Sequence, residues 1–217
     1  MFSRILGALI LSALPAGAQP VTVAALGDSL TQGYGLAQDR GLVPQLQAWL
    51  RDRGADVTLI NAGVSGDTSA GGLSRADWTL TPEVDGLIVA LGGNDLLRGL
   101  DPDVTRANLS GILDAARKAE VAAMLIGIEA PANYGPDYRS AFNAIYPGLG
   151  AAYDVPVIPS MLGAIAGAPD PLSLMQPDGI HPNAQGVKLI VAAIGPQVLA
   201  FVETLGACEG ACRMAAE

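Results

Sequence analysis

Residues 26–35 read LGDSLTQGYG and directly follow the apolar run VTVAA at residues 21–25. A near-continuous apolar run of this length is typical of a strand buried in a parallel sheet. The Gly-Asp-Ser that follows predicts a sharp turn from the strand into a helix. Ser29 at that turn is either a helix N-cap or a nucleophile whose hydroxyl points into a cleft near helix N-terminal amides. Which of these two roles Ser29 has depends on the catalytic residue types found elsewhere in the sequence.

Further apolar or β-branched runs alternate with longer amphipathic stretches along the chain. This alternation predicts an α/β fold, an open parallel sheet with helices on both faces. No linker divides the chain, so we expect one domain over residues 19–206 and a tail over residues 207–217. The predicted strands are residues 21–26, 57–61, 86–91, 122–126 and 155–158. The predicted helices are residues 42–53, 102–120, 138–153 with an interruption at Pro147 and Gly148, and 183–205 with a kink at Gly195 and Pro196.

The composition indicates a globular, acidic protein. The chain has 217 residues, half of them apolar, and its 12 Lys and Arg against 21 Asp and Glu give a net charge of −9. The length and apolar content suffice for one substantial core. An acidic surface disfavours nucleic acid and anionic membrane surfaces as partners, because like charges repel.

The first residues have the pattern of a secretory signal peptide. A positive region ends at Arg4, an apolar stretch follows at residues 5–15, and AGA at residues 16–18 forms a small-residue cleavage site. We therefore predict that residues 1–18 are removed and that the protein is periplasmic or secreted; the alternative is a buried N-terminal helix. The apolar stretch is too short to anchor the chain in a bilayer. No later segment is predicted to span one, so no stable membrane insertion is expected.

Two cysteines, Cys208 and Cys212, lie near the C-terminus. In an oxidising compartment they either form a disulfide or stay as two free thiols on the tail. Two Cys and a single His cannot complete a structural zinc site, so no metal ion is predicted.

Polar, glycine-punctuated segments follow the predicted strands, where an open α/β sheet binds its ligands. They contain Ser29 in GDSL, Asn94 in GGND, and Asp178 and His181 in DGIHP. His181 is the only histidine of the chain, so it is the base of any Ser-His pair. Asp178, three residues earlier, can reach the imidazole Nδ1–H within a single turn. A turn aspartate is also common in loops without any catalytic role.

Acyl transfer further requires hydrogen-bond donors for the oxygen that becomes negative. The candidates are the backbone amide of Ser29, the backbone of Gly66 and the side-chain amide of Asn94. Gly66 equally suits a left-handed turn, and Asn94 an Asx turn. Asp28 is either a second general base or an acceptor for local amides. The phosphate-binding patterns G-x-x-x-x-G-K-[ST] and G-x-G-x-x-G are absent from the sequence, and Ser29 lacks the G-x-S-x-G elbow of an α/β-hydrolase.

Together, these segments resemble the four sequence blocks of the SGNH, or GDSL-type, hydrolases. The matches are GDSL with Ser29, the block containing Gly66, GGND with Asn94, and DGIHP with Asp178 and His181. Similarity continues in NAGVSGDTSAGGL, LGGNDLLRG, APANYGPDY, FNAIYP and DGIHPN. These stretches resemble the bacterial multifunctional acyl-CoA thioesterase, lysophospholipase and arylesterase group, over about residues 21–202.

The resemblance implies a flavodoxin-like three-layer α/β/α sandwich with a five-stranded parallel sheet. It implies Ser29 as the nucleophile, His181 as base and later acid, and Asp178 as the residue that orients His181. The Ser29 and Gly66 N–H groups and the Asn94 side chain would form the oxyanion hole. The implied reaction is hydrolysis of carboxylic esters and thioesters of acyl chains through an acyl-enzyme, without cofactor or metal.

The expected partner is a small-molecule acyl ester, and the expected state is a monomer. Leu96 and Tyr134 lie in loops near strand ends, and we expect them to contact the acyl chain. Two alternatives stay open. One is a carbohydrate acetyl esterase of the same superfamily, disfavoured by the thioesterase-like segments. The other is a non-catalytic small-ligand binding protein, disfavoured by the complete set of catalytic residue types.

Overall fold

The structure, a computed structural model, describes the backbone of residues 20–214 and the side chains of residues 20–207. The predicted signal peptide lies outside this range, and so do the side chains of Cys208 and Cys212. The pairing of these cysteines and the division into a domain and a tail therefore stay predictions.

Five parallel strands form one sheet in the order β2-β1-β3-β4-β5. This is the flavodoxin-like order, in which the winding of the chain reverses between β1 and β3. The predicted fold class is confirmed. The strands are β1 Val21–Gly27, β2 Val57–Gly63, β3 Gly86–Ala90, β4 Ala122–Ile126 and β5 Val157–Ile158.

Helices cover both faces of the sheet, which gives the three layers. The α-helices within residues 20–214 are α1 Ser29–Gln32, α2 Leu42–Arg51, α3 Ser69–Ser74, α4 Ala76–Thr79, α5 Gly93–Leu97, α6 Pro102–Lys118, α7 Pro136–Asn143, α8 Ile145–Tyr153, α9 Gly163–Ala166 and α10 Ala184–Met214.

The last strand is shorter than its apolar run predicts. Only Val157 and Ile158 pair with β4. Pro156 has no N–H for a sheet ladder, and the Val155 N–H donates to the Gly150 carbonyl of α8 instead. Val155 therefore serves the end of the helix, and Pro156 joins the sheet only through its carbonyl, which accepts from the Leu125 N–H of β4 at 2.9 Å.

The predicted helix over residues 138–153 is divided into α7 and α8 at Ala144, and not at Pro147 and Gly148. Pro147 lies in the first turn of α8, where a backbone N–H has no intrahelical acceptor, so the proline removes no helical hydrogen bond. At the C-terminal side, α10 runs across Pro196 and ends at Met214 rather than at residue 205.

The core forms on both faces because alternate residues of β1 point to opposite sides. Val23 and Ala25 pack in a cluster with residues of α2 and α10. Ala24 and Leu26 pack in a second cluster with residues of α6 and α8. All four side chains are buried, so the run from Val23 to Leu26 is apolar on both faces for a structural reason.

Helix α10 is the one helix in residues 20–214 that is long and apolar enough to cross a membrane, over Ala184–Ala207. The sequence predicts no membrane-spanning segment after residue 18, so the length and apolar composition of α10 differ from that expectation. Its apolar residues Val187, Ile190, Ile194 and Val198 are buried in the cluster on the α2 side of the sheet. The helix therefore has the packing of a core helix.

Gly63, at the end of β2, allows β2 and α1 to approach closely. A Cβ at this position would lie 2.8 Å from the Gln32 Cα and 2.9 Å from the Asp28 carbonyl oxygen. Both are backbone atoms, so the clash can be relieved only if α1 is displaced. We expect Gly63→Ala to lower the free energy of unfolding by about 1–3 kcal/mol, measured by urea denaturation.

Gly206→Ala is the matched control for Gly63→Ala. In α10 the nearest neighbour of an added Cβ at Gly206 is 3.9 Å away, so the substitution creates no clash. Alanine favours the helix by roughly 0.5–1 kcal/mol over glycine, so this variant should be as stable as the wild type or more stable. Equal stability of the two variants would contradict the crowding at Gly63.

Candidate active site

Ser29 lies at the carboxyl end of β1 as the first residue of α1. The N-cap is Asp28, whose Oδ1 accepts a hydrogen bond of 3.0 Å from the Leu30 N–H. The N-cap role considered for Ser29 is therefore wrong. The carboxylate of Asp28 caps the helix, so the Ser29 hydroxyl is free to form a hydrogen bond with another group.

The segment around Asp178 and His181 forms a tight turn before α10. Asp178 Oδ1 accepts hydrogen bonds from the N–H groups of Ile180 at 2.9 Å and of His181 at 3.0 Å. Gly179 has a φ of +67°, a conformation that favours glycine. Asp178 Oδ2 lies 2.6 Å from His181 Nδ1, and His181 Nε2 lies 2.8 Å from Ser29 Oγ. The structure thus brings these three predicted residues together in one chain of hydrogen bonds.

The direction of these hydrogen bonds follows from the chemistry of the groups. With Nδ1 protonated, His181 donates to the carboxylate of Asp178, and its Nε2 accepts from the hydroxyl of Ser29. Hydrogen bonds from the backbone and then the side chain of His181 lower the pKa of Asp178 to about 2. Asp178 is therefore ionised throughout the neutral and mildly acidic range.

The turn is fixed from outside by Gln176. The Gln176 N–H donates to the His181 carbonyl at 2.7 Å, and its side-chain amide donates to the carbonyls of Tyr34 at 2.8 Å and Pro182 at 3.0 Å. The centre of the Tyr34 ring lies 4.6 Å from that of the imidazole. Neither Gln176 nor Tyr34 is predicted from the sequence as part of the site, although Tyr34 lies in the same GDSL segment as Ser29.

The three predicted oxyanion donors border one cavity. Gly66 has a φ of +83°, and an added Cβ would meet nothing within 4 Å. Glycine is thus required there by the backbone conformation, and not by close packing. Within the described part of the chain, the N–H groups of Ser29 and Gly66 donate to no protein acceptor. Both are therefore available to a ligand.

The Asn94 side chain is held at the same edge by two oxygen atoms. Its Nδ2 donates to the Asp67 carbonyl at 2.9 Å and lies 3.4 Å from Asp28 Oδ2. Asn94 belongs to α5, which follows β3, whereas Asp28 and Ser29 follow β1. The two neighbouring strands therefore supply the two sides of the site.

The cavity beside Ser29 and His181 has a volume of about 540 Å³, within the range of small-molecule sites. Most of its wall is apolar. The charged or titratable residues on its wall are Asp28, Tyr34, Glu129 and His181, among the residues that the structure describes. The apolar lining residues are Leu30, Leu96, Leu97, Ile128, Pro131, Leu162, Met175 and Ile180.

Of the two residues predicted to contact substrate, Leu96 lines the cavity, but Tyr134 is not among the lining residues. The Tyr134 ring instead stacks on Tyr138 with a centroid distance of 5.4 Å, and Tyr138 stacks on Phe142 at 5.9 Å. These rings pack against the core cluster on the α6 side of the sheet. The loop position of Tyr134 indicates nearness to a strand end but not the direction of its side chain.

Three further lining residues, Ile128, Glu129 and Ile180, escape the sequence analysis. Ile128 and Glu129 follow β4 almost directly, and Ile180 lies inside the DGIHP motif. Position after a strand is therefore the signal by which Ile128 and Glu129 could have been found, and position inside the motif is the signal for Ile180.

Asp28 is 3% exposed, and it is the second perturbed carboxyl group of the site. Burial raises the pKa of Asp28 to about 6, although the Leu30 N–H and the charge of His181 act in the opposite direction. Asp28 thus changes protonation near neutral pH, whereas Asp178 does not.

Comparison with known proteins identifies the family. The model of the GDSL-like lipase/acylhydrolase family matches residues 25–189. Esterase TesA of Pseudomonas aeruginosa is 41% identical over 190 residues, 87% of this chain and 92% of that protein. Thioesterase 1/protease 1/lysophospholipase L1 of Escherichia coli K12 is 38% identical over 183 residues, 83% of this chain and 85% of that protein.

A solved structure agrees with these sequence relatives. The psychrotrophic esterase EstA from Pseudoalteromonas sp., inhibited by monoethylphosphonate, has a TM-score of 0.77 and 32% identity over 84% of this chain and 98% of that chain. The chain belongs to the GDSL-like lipase/acylhydrolase family. It is an ester hydrolase with the fold of the SGNH hydrolases.

The raised pKa of Asp28 predicts a pH-dependent stability. The unfolded chain ionises Asp28 near pH 3.8, whereas the folded protein keeps the group protonated up to about pH 6. The unfolded state therefore loses its proton first, and the contribution of Asp28 to the free energy of unfolding falls between pH 4 and 6 by about 3 kcal/mol. Above that range the loss is constant. Asp28→Asn should remove this fall.

Urea unfolding of the wild type and Asp28→Asn at intervals from pH 4 to 7 measures this difference. Asp39→Asn is the control for loss of a carboxylate, because the Asp39 side chain is 82% exposed. If the free energies of unfolding of the wild type and Asp28→Asn changed in parallel from pH 4 to 7, burial would not raise the pKa of Asp28.

Proposed function

We propose that the protein hydrolyses acyl esters through an acyl-enzyme on Ser29, with His181 as base and Asp178 as the orienting carboxylate. One observation carries the assignment of these roles. The hydrogen bonds between Ser29 Oγ and His181 Nε2, 2.8 Å, and between His181 Nδ1 and Asp178 Oδ2, 2.6 Å, are continuous, and Ser29 and His181 border an apolar cavity. A nucleophile bonded to a base, which is in turn oriented by a carboxylate, is the arrangement that nucleophilic acyl transfer requires.

In the proposed first step, His181 Nε2 takes the hydroxyl proton of Ser29 as Oγ attacks the acyl carbonyl carbon. The carbonyl oxygen becomes negative and accepts hydrogen bonds from the N–H groups of Ser29 and Gly66 and from Asn94 Nδ2. His181 then protonates the leaving alcohol or thiol, and the acyl group stays on Ser29. Water, deprotonated by the same imidazole, releases the acid. Asp178 stays ionised and stabilises the imidazolium in both steps.

Asn94 suits the role of oxyanion donor because its two N–H groups are held differently. One has the 2.9 Å hydrogen bond to Asp67, which fixes the amide plane. The other has only the 3.4 Å contact with Asp28. A contact of that length is weak, and a shorter charge-assisted bond to an oxyanion would replace it.

The wall of the cavity favours a neutral ester with an apolar acyl chain. Aliphatic side chains supply most of the surface, and no Lys or Arg lines the cavity in the part of the chain that the structure describes. Glu129 adds a negative charge to a protein that is already acidic. A polyanionic leaving group such as coenzyme A is therefore less well matched than an uncharged alcohol.

We further propose that residues 1–18 direct export and that the mature enzyme is a monomer. The support for export is the positive, apolar and small-residue pattern at the N-terminus. Export would place the enzyme among extracytoplasmic esters. N-terminal sequencing of exported material should begin at Gln19, and light scattering should give the mass of one chain; an intact residue 1 or a dimer mass would contradict these two points.

Hydrolysis of p-nitrophenyl acetate, butyrate, octanoate and palmitate by residues 19–217 tests the proposed function. We expect a preference for medium or long acyl chains, because the cavity is apolar and about 540 Å³ in volume. Ser29→Ala should abolish hydrolysis. Ser74→Ala, an exposed serine at the end of α3, is the matched control and should keep wild-type rates.

The outcomes separate the alternatives. Activity limited to acetate would favour a carbohydrate acetyl esterase. Equal rates for the wild type and Ser29→Ala would reject the catalytic role of Ser29, and the cavity would then have to be treated as a binding site.

Asn94→Ala tests the oxyanion hole. Loss of one preorganised donor lowers kcat by about 10²–10³ in comparable acyl-transfer enzymes, with little change in KM. We expect the same here, measured by steady-state hydrolysis of the preferred p-nitrophenyl ester. Near-wild-type kcat in a variant with an intact unfolding transition would exclude Asn94 as an oxyanion donor.

A further inference from the structure

Arg75, at the junction of α3 and α4, makes three short hydrogen bonds with one guanidinium group. Its Nε donates to Asp67 Oδ2 at 2.7 Å, its Nη1 to the Ala62 carbonyl at 2.6 Å and its Nη2 to the Gly27 carbonyl at 2.8 Å. The three acceptors lie on three separate segments of the chain. Arg75 itself is not among the residues that line the cavity.

Each acceptor belongs to a segment that supplies or adjoins a candidate oxyanion donor. Gly27 ends β1, two residues before Ser29. Ala62 lies at the end of β2, which leads into the turn with Gly66. Asp67 follows Gly66 directly, and its carbonyl accepts the hydrogen bond from Asn94.

The contact of Arg75 with Asp67 is a partly buried ion pair. The side chains of Arg75 and Asp67 are 22% and 18% exposed. A charge-assisted bond at this depth is less screened than a surface pair. Gly71 contributes space: a Cβ there would clash with the Asp67 carboxylate, so the absence of a side chain permits the carboxylate to lie where it receives the guanidinium.

We propose that Arg75 is a positioning residue for the oxyanion hole. It fastens the end of β1, the end of β2 and the Gly66–Asp67 turn to one rigid group, and it thereby sets the distance between the Ser29 and Gly66 N–H groups and the plane of the Asn94 amide. Because those donors act on charge that develops in the transition state, Arg75 influences kcat and not substrate affinity. This inference rests on the proposed function.

Arg75→Lys is the main test. Lysine keeps the positive charge, but its single ammonium cannot span three acceptors in the fork geometry of a guanidinium. We expect kcat for the preferred p-nitrophenyl ester to fall about 10- to 100-fold, the scale on which misplacement of catalytic groups acts, with KM changed less than about twofold. Arg106→Lys is the matched control, because Arg106 donates to the Ala144 carbonyl on the surface, and it should keep wild-type constants.

A transition-state analogue gives a readout that general loss of structure would not reproduce. An alkyl trifluoromethyl ketone adds to the serine hydroxyl and places a negative oxygen in the hole. Its inhibition constant should rise in Arg75→Lys by the same factor by which kcat/KM falls. A rise in KM with unchanged kcat, or an unchanged inhibition constant, would overturn the proposal.

The double variant Arg75→Lys/Asn94→Ala tests whether Arg75 acts through the hole. If it does, the two losses are less than additive: adding Arg75→Lys to Asn94→Ala lowers kcat by a smaller factor than Arg75→Lys does in the wild type, because only the Ser29 and Gly66 N–H groups are left to misplace. Full additivity would overturn the proposal. If Arg75→Lys does not fold, Asp67→Asn replaces it, since the smaller change keeps the shape and weakens one contact; it should lower kcat about 3- to 10-fold, again with KM preserved.

The Ser29→Ala variant, measured in the same assay, separates failure of the proposed role of Arg75 from failure of the proposed function. If Ser29→Ala is inactive and Arg75→Lys behaves as the wild type, the role of Arg75 is rejected and the proposed function stands. If Ser29→Ala hydrolyses esters at the wild-type rate, the proposed function itself fails.

Discussion

The constraint on which the site depends is the divergence of the chain beyond β1 and β3. These strands are neighbours in the sheet, but the helices that follow them, α2 and α6, pack on opposite faces. Between the departing segments lies a gap at the carboxyl edge that the backbone does not fill. Ser29 borders it from β1 and Asn94 from β3, and the loop with His181 supplies the third group.

The residues that form the turns around this gap are also the residues that hold or supply the candidate catalytic groups. Asp28 caps α1 and so leaves the Ser29 hydroxyl to pair with His181. Asp178 uses one oxygen to close its own turn and the other to bind the imidazole. The positive φ of Gly66 shapes the turn that exposes its N–H. In each case a residue that looks like an ordinary turn former meets the geometry of the proposed reaction by forming that turn.

The sequence predicts those parts of the molecule that depend on local or repetitive signals. Four of the five strands, the fold class and the motif residues follow from apolar runs and from segments after strand ends. Predictions from local sequence fail where contacts with other parts of the chain determine the structure. Val155 has strand composition, but its N–H is used by α8, and Pro147 looks like a helix breaker but falls in a first turn. Tyr134 lies near a strand end, yet its ring stacks on Tyr138 and packs against the core instead of lining the cavity.

The residues that hold the site in place are the least visible from sequence. Gln176 and Arg75 act mainly through backbone carbonyls, which every residue type carries, so the sequence gives no sign of most of their partners. The apolar wall of the cavity is hard to predict for a related reason, because its leucines and isoleucines have the same composition as the core.

The turn that carries Asp178 and His181 has a consequence for the transfer of this chemistry between scaffolds. The residues from Gln176 to Pro182 orient the imidazole by hydrogen bonds among themselves, whereas Ser29 and Tyr34, which contact this unit from outside, both belong to the segment after β1. The acid-base half of the machinery is therefore one short segment that docks on one other segment. An engineer who grafts it needs to reproduce its seat on the segment with Ser29 and Tyr34, whereas the opposing half is spread over β1, β2 and α5 and would have to be rebuilt strand by strand.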